Sequence, residues 1–262
     1  LDLVVISIAS DIVPIVGENR ILAFHGMKQL NNSPSTGVKA IINVCGLTGK
    51  DIHMSDIIFK IGPRINASGR VQNGKESVSL LIEHDDDAAL LMAQQIDQYN
   101  EERKELDKKM TEEANKLVET IYELDDKDES SAIVIYNESW HKGVIGIVAS
   151  RLTELYYRPA VVLTRNGDEV TGSARSVTGF DVYKAIEQCR DLLSNFGGHT
   201  YAAGLSMKVE NIDAFTQRFT DYVAANINHE TTLPTIDIDA VVNFKDITGK
   251  FHNDLKRMRP FG

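Results

Sequence analysis

The stretch that decides the fold runs from Ala132 to Arg175. "AIVIYN" (Ala132–Asn137) is followed by "VIGIVASRLTELYY" (Val144–Tyr157), "PAVVLT" (Pro159–Thr164) and "EVTGSAR" (Glu169–Arg175). Short β-branched runs on either side of an amphipathic stretch read as strand, helix, strand, and a further strand entering a glycine-containing turn. Outward from there, "GFDVYKAIEQCRDLLSNF" (Gly179–Phe196) reads as helix, "YAAGLSMKV" (Tyr201–Val209) as strand and "IDAFTQRFTDYVAANI" (Ile212–Ile227) as helix. Alternating elements of this kind make an α/β lobe.

Upstream, residues 86–124 contain neither Pro nor Gly. Met92, Ile96, Tyr99, Leu106, Met110, Leu117, Ile121 and Leu124 recur at spacings of three and four or their multiples, with Arg103 and Glu113 at missing turns. This predicts one long amphipathic helix, roughly 60 Å at 1.5 Å per residue. It suits a coiled-coil dimer seam or a helix connecting two lobes, and the broken heptads favour the connector. "DDKDESS" is expected to end it. Residues 1–82 read as mixed strand and helix. "LDLVVISIA" is a continuous apolar run of the kind found in a strand buried on both faces, while "RILAFHGMKQLNN" and "TGVKAIINVCGL" read as helices. The tail, from "PTIDIDAVVNF" onward, is expected to hold a strand and a short helix.

Composition gives ordinary bounds. The chain has 262 residues, 42% hydrophobic and 25% charged, with no apolar run near the ~20 residues of a membrane span and no visible secretory signal. Its two cysteines, Cys45 and Cys189, have no CxxC partner. They read as reduced, partly buried thiols in a cytoplasmic protein. The net charge of −10 argues against a nucleic-acid partner only until it is mapped. Residues 83–129 carry 17 acidic and 6 basic side chains, and the remainder is near neutral at +1. Local charge decides where phosphate binds.

Several polar clusters are candidates for chemistry. Asp11 follows the first apolar run, where a carboxylate suits either a divalent cation or the cap of the next helix. A lone Asp cannot hold a catalytic metal. "GPRINASGR" (Gly62–Arg70) offers Arg64 and Arg70 as guanidinium forks and Asn66 for a phosphate oxygen or base edge. It reads as an anion site or as a turn with surface salt bridges. "WHKGVIGIVASRL" places His141 and Gly143 ahead of a helix start, where backbone N–H groups attract anions. "GSARS" groups Ser173, Arg175 and Ser176; Ser173 and Arg175 alternate along a strand, share a face and can grip one phosphate. "FGGHTYAAG" puts His199 after Gly197 and Gly198. His199 alone suits a structural role as well as a functional one. What these clusters share is phosphate held without base reading.

Taken in order, "SIASDIVPIVGENR", "GPRINASGR", "WHKGVIGIVASRL", "GSARS" and "FGGHTYAAG" resemble the RecJ-type exonucleases of the DHH phosphoesterase superfamily, over nearly the whole chain. The resemblance implies two α/β lobes joined by a long helix. The C-terminal part of a DHH lobe would occupy residues 1–82, the connecting helix 83–129 and a DHH-associated α/β domain 130–230. The truncated start of an oligonucleotide-binding module would occupy 231–262. It implies a Mn²⁺- or Mg²⁺-dependent 5′-to-3′ exonuclease of DNA repair and recombination that releases mononucleotides from single-stranded DNA. A single-strand-binding protein or a helicase would be an accompanying partner, with no membrane and a monomeric state. It implies Asp11 as a metal ligand, His199 as a catalytic cleft residue and Ser173 and Arg175 as the 5′-phosphate pocket. Ser176, His141, Gly197 and Gly198 join the binding set, and Arg64, Asn66 and Arg70 contact the strand backbone. The family's upstream Asp-x-Asp and Asp-His-His motifs are absent from this sequence, so the metal site is expected to be incomplete and this chain alone inactive. Two alternatives remain: a DHH phosphoesterase for short oligonucleotides or cyclic dinucleotides, and a non-catalytic nucleic-acid-binding relative.

Overall fold

The computed structural model describes residues 1–124, 131–228, 235–236 and 238–261. The chain divides into two compact units, Leu1–Arg103 with Asp237–Gly262, and Lys104–Ile236. The α/β class holds, with one five-stranded sheet and one long helix. The sheet lies in the second unit, and the described residues of the first unit are helical or irregular.

The first apolar run corrects the sequence reading. Residues Asp2–Ser10 form helix α1 rather than a buried strand. The buried positions are Asp2, Val5, Ile6, Ile8 and Ala9, while Leu3 and Val4 are exposed. Positions 2, 5, 6 and 9 make a helical stripe, and the run looked continuous because Leu3 and Val4 are apolar without being core. Asp2 is tolerated in that stripe because its carboxylate accepts from the N–H of Ser35 at 2.8 Å and of Leu3 at 2.9 Å. Burial opposes its ionisation, and these N–H groups outweigh the burial and hold its carboxyl below the usual range.

Helices α2 (Gly17–Asn32) and α3 (Thr36–Val44) follow as expected. One turn, α4 (Met54–Asp56), runs through a π-helical stretch, Ile57–Ile61, into α5 (Gly62–Val71), and α6 (Lys75–Leu81) packs beside α5. Val5, Leu30, Ile41, Ile57, Ile61, Leu80 and Ile96 centre this unit's core. From the tail, Arg20 donates through Nη1 to the Pro260 carbonyl at 2.9 Å and through Nη2 to that of Met258, and Arg259 meets the His53 ring. The tail's short helix is α11 (Gly249–Arg257). The strand expected around residues 235–244 is not formed among the described residues. Ile238, Val241 and Phe244 are exposed, with no neighbouring strand to complete a ladder.

Helix α7 (Asp86–Leu124) has the predicted extent, and the run at 125–130 expected to end it lies outside the described residues. Its buried stripe differs from the predicted one. Ala89, Ala93, Ile96 and Asn100 are buried in the first unit, and Asp107, Met110, Ala114 and Val118 in the second, while Leu117 and Ile121 are exposed. Alanines and two polar side chains hold the missing turns: Asn100 accepts through Oδ1 from Arg103 Nη2 at 2.8 Å while its buried Nδ2 has no partner among the described residues, and Asp107 binds Arg151. Each part of the stripe is used inside its own unit.

In the second unit, β1 (Ile133–Tyr136), α8 (Ile145–Tyr156), β2 (Ala160–Asn166), β3 (Glu169–Arg175), α9 (Val182–Glu187), β4 (Leu193–His199), β5 (Ala202–Lys208) and α10 (Ile212–Asn226) follow in sequence. The sheet order is β1-β2-β3-β5-β4, parallel only between β1 and β2. On one face, Ile133, Ile135, Ala160 and Val162 pack under α8 and α7. On the other, Val161, Leu163, Ala174, Leu205 and Met207 pack under Phe215, Phe219 and Val223 of α10 and Val182, Ala185 and Ile186 of α9. The helix expected over 179–196 ends at Glu187, and Leu193–His199 is the edge strand β4. Apolar residues at 182, 185, 186, 189, 193 and 196 mimic a helical stripe, and pairing with β5 overrides it. Cys189 is fully buried, and burial pushes its thiol up to about 11. Cys45 is raised in the same sense by burial. Both fit unreactive, reduced thiols.

Candidate phosphate-binding site

The sheet register brings the second unit's candidates together. Arg175 pairs with Ala202, and Ala202 with His199. Two residues along, Ser173 pairs with Gly204, and Gly204 with Gly197. Paired residues share a face and alternate residues return to it, so Ser173, Arg175, Gly197 and His199 lie on the face that carries α8. The middle strand adds only Ala202 and Gly204 there, a low floor between the Ser/Arg pair and His199. Gly197, Gly204 and His199 are exposed.

Backbone constraints explain the residue types. A Cβ at Gly198 would lie 2.4 Å from the Ala202 carbonyl oxygen and 2.6 Å from Ala203 Cβ, and its φ is +156°. Only glycine lets β4 close on β5 there. The Arg175 guanidinium is docked rather than loose: Nη1 donates to Ser173 Oγ at 2.9 Å and to the Ala174 carbonyl at 2.7 Å. The Tyr201 N–H donates to His199 Nδ1 at 3.3 Å, so the neutral ring carries its proton on Nε2. A guanidinium, a hydroxyl and an imidazole N–H around a glycine-lined floor match the donors that an anionic oxygen group takes.

Two other candidates shape this site without lining it. Ser176 donates its hydroxyl to the Phe180 carbonyl at 2.8 Å, and its N–H to the Tyr201 carbonyl at 3.0 Å, tying the ends of β3 and the β4–β5 hairpin. His141 organises the entry to α8: its Nδ1 accepts from the Gly143 N–H at 3.2 Å, and its carbonyl accepts from Val144 at 2.9 Å.

In the first unit, "GPRINASGR" is α5, not a turn. Pro63 sits in its first turn, where a missing N–H costs nothing. The helix separates the three polar candidates. Arg64 turns to α7, where its Nε donates to Asp97 Oδ1 at 2.7 Å, and its Nη1 donates to the Lys60 carbonyl at 3.0 Å. Its side chain is 14% exposed. This is the salt-bridge alternative, realised on a helix. Asn66 and Arg70 are one turn apart on another side. Gly62 abuts Ser10, the residue before Asp11, so α5 begins at the C-terminal end of α1.

Asp11 is the C-cap of α1, exposed, with φ −93° and ψ 0°. The next residue, Ile12, has φ +53°. The Val13 N–H reaches the Ile8 carbonyl and the Ile12 N–H that of Ala9, both at 3.3 Å. This is a Schellman ending with a β-branched residue where glycine is usual. Strain of this kind persists only where surrounding structure enforces it. Among the described residues, no group of three or more His, Cys, Asp or Glu side chains is arranged to hold a metal ion. The described residues therefore do not by themselves fit a resident divalent cation.

Reading the sequence alone missed the Asp97 partner of Arg64, the helical state of α5 and the Ala202 and Gly204 floor. A helix-breaking composition hid α5. The floor was present in the quoted "YAAG", whose small residues were its only signal.

Known proteins share this architecture. Residues 129–225 match the model of the DHHA1 domain. Over its whole length the chain is 36% identical to the single-stranded-DNA-specific exonuclease RecJ of Bacillus subtilis, of which it covers 33%. It is 32% identical to RecJ of Escherichia coli, of which it covers 46%. The crystal structure of RecJ from Thermus thermophilus in complex with Mg²⁺ superposes with a TM-score of 0.86 at 26% identity, covering all of this chain and 39% of that one. A Mn²⁺ complex of the same protein matches equally well. The chain thus spans a third to under half of the length of these relatives, and the RecJ resemblance read from its motifs extends along all of it.

Proposed function

We propose that this chain is part of a metal-dependent 5′-to-3′ single-stranded-DNA exonuclease, and that its second unit receives the strand's terminal 5′-phosphate. The observation that carries this reading is the docked Ser173–Arg175 pair beside the Ala202/Gly204 floor, in register with His199. Arg175 presents a preorganised positive charge, Ser173 a hydroxyl and His199 an N–H for a phosphodiester oxygen. Preorganisation keeps the ordering cost of binding low. Similarity along the whole of this chain to part of RecJ supports this over an enzyme for short oligonucleotides or cyclic dinucleotides, and over a non-catalytic relative.

In this reading residues 1–82 complete a DHH domain, 83–129 connect, 130–230 form the DHH-associated domain and 231–262 begin an oligonucleotide-binding module. Asn66 and Arg70 contact the strand backbone, and Arg64 positions their helix. Asp11 contributes one carboxylate to a Mn²⁺ or Mg²⁺ site whose remaining ligands are not among the described residues. No helix of the described residues is long and apolar enough to cross a membrane. We place the protein in the cytoplasm as a monomer on single-stranded DNA, accompanied by a single-strand-binding protein or a helicase.

The test is Arg175→Ala in the longer protein. Affinity for 5′-phosphorylated strands is expected to fall by about 1.5–3 kcal/mol, the range for a hydrogen bond to a charged group, with little change for 5′-hydroxyl strands. Equal losses for both ends would place Arg175 elsewhere.

A further inference from the structure

Helix α8 begins directly over the Ser173–Arg175 pair, and its second residue is Gly146. Gly146 is buried. A Cβ built there would lie 3.0 Å from Arg175 Nη2 and 3.0 Å from Ser173 Oγ, and 3.7 Å from Ser173 Cβ. These are the two side chains to which the phosphate is assigned. Glycine is the poorest helix former after proline, so its presence inside α8 calls for a local reason, and the nearest atoms supply one. From this we infer that Gly146 is a positioning residue for the phosphate site: its missing side chain lets the first turn of α8 close onto the Arg175 guanidinium and hold it against Ser173. The inference rests on the 5′-phosphate reading above and concerns how that site is kept in register.

The chemistry is steric and electrostatic together. Nη1 is already committed to Ser173 Oγ and the Ala174 carbonyl. The guanidinium is planar and rigid, so displacing Nη2 rotates Nη1 off its two acceptors. A contact at 3.0 Å requires a shift of a few tenths of an ångström. That is small for folding, because the atoms in the way end a flexible side chain and a rotatable hydroxyl. It is large for a bidentate grip on phosphate. The first turn of α8 also carries the positive end of its helix dipole, and a methyl group wedged under it moves that end away from the anion.

The experiment compares Gly146→Ala, Arg175→Ala and the double variant in the longer protein, with Ile147→Ala as a control for disturbance of α8. The readout is the ratio of affinities for a 5′-phosphorylated and a 5′-hydroxyl strand of the same sequence, beside the thermal unfolding midpoint. Gly146→Ala is expected to reduce the ratio about tenfold with its unfolding midpoint retained. The double variant is expected to match Arg175→Ala alone, since Gly146 acts through that side chain. Ile147→Ala is expected to keep the wild-type ratio. If Gly146→Ala proves unstable while the double variant folds, the steric contact with Arg175 is shown directly. A wild-type ratio in Gly146→Ala, with the ratio lost in Arg175→Ala, overturns this inference and leaves the phosphate site standing. An unchanged ratio in Arg175→Ala removes the phosphate site and this inference with it.

Discussion

Arg151 holds Asp107 through two parallel bonds, Nε to Oδ1 and Nη2 to Oδ2, each 2.8 Å long. Asp107 is 3% exposed on α7, and the Arg151 side chain is half exposed on α8. The pair pins the helix whose first turn covers Ser173 and Arg175 to the helix beneath it. Asp107→Asn keeps the shape and removes the charge. With one partner open to water, the loss is expected to be about 1–2 kcal/mol, read as a lower unfolding midpoint of the second unit. An unchanged midpoint would show that apolar packing by Met110, Ala114 and Val118 alone holds α8.

The two arginines of α5 are expected to part company under mutation. Arg64→Ala breaks the ion pair to Asp97 and lowers stability by about 1 kcal/mol, with a weaker effect on the salt dependence of strand binding. Arg70→Ala is expected to reduce the slope of log affinity against log salt by about one, as loss of one phosphate contact does. Salt titrations of both variants in the longer protein check this, and identical slopes for both would contradict the division.

Ile12→Gly is expected to stabilise the first unit by about 1 kcal/mol, because it relieves a left-handed backbone at a β-branched residue. Ile12 is 75% exposed, so little apolar burial is lost. Denaturant midpoints of the two forms give the answer. A destabilised glycine variant would mean that the side chain contributes more to fixing Asp11 than its backbone costs.

The 262-residue chain alone is expected to show no Mn²⁺- or Mg²⁺-dependent hydrolysis of single-stranded DNA. Asp11 belongs to no group of three or more His, Cys, Asp or Glu side chains that could hold a metal among the described residues. Purified chain incubated with end-labelled strand and either metal is the assay. Robust metal-dependent release of nucleotides would show that the described residues assemble a centre by another route.

How much of this was legible in sequence depended on which residues carried the pattern. The sheet's β1, β2, β3 and β5 are β-branched or small and bounded by turn residues, so period and punctuation agreed. Helix α7 was legible in extent because nothing interrupts it, but its buried face was not. Ala114 was too small to register as a core residue, and Asp107 was hidden because its partner lies 44 residues away. Helix α1 was misread for a related reason, since its stripe includes Asp2, whose partner Ser35 is 33 residues away. In the site, Ser173 and Arg175 were visible as an alternating pair on one strand. Their alignment with His199 was not, because β5 lies between β3 and β4 and sheet order is not written locally. Arg64 read as a cation open to an anion because Asp97 was unseen.

The tail binds the helices at the start of the chain: Arg20 donates to the Pro260 and Met258 carbonyls, and Arg259 meets His53. The sheet-bearing unit is therefore an insertion within a unit made from both ends of the sequence. Cutting the chain before residue 238 should weaken the helices at its beginning while leaving the sheet that immediately precedes the cut intact. Sequence distance and structural consequence run in opposite directions here, and a truncation series would find the fragile end far from the scissors.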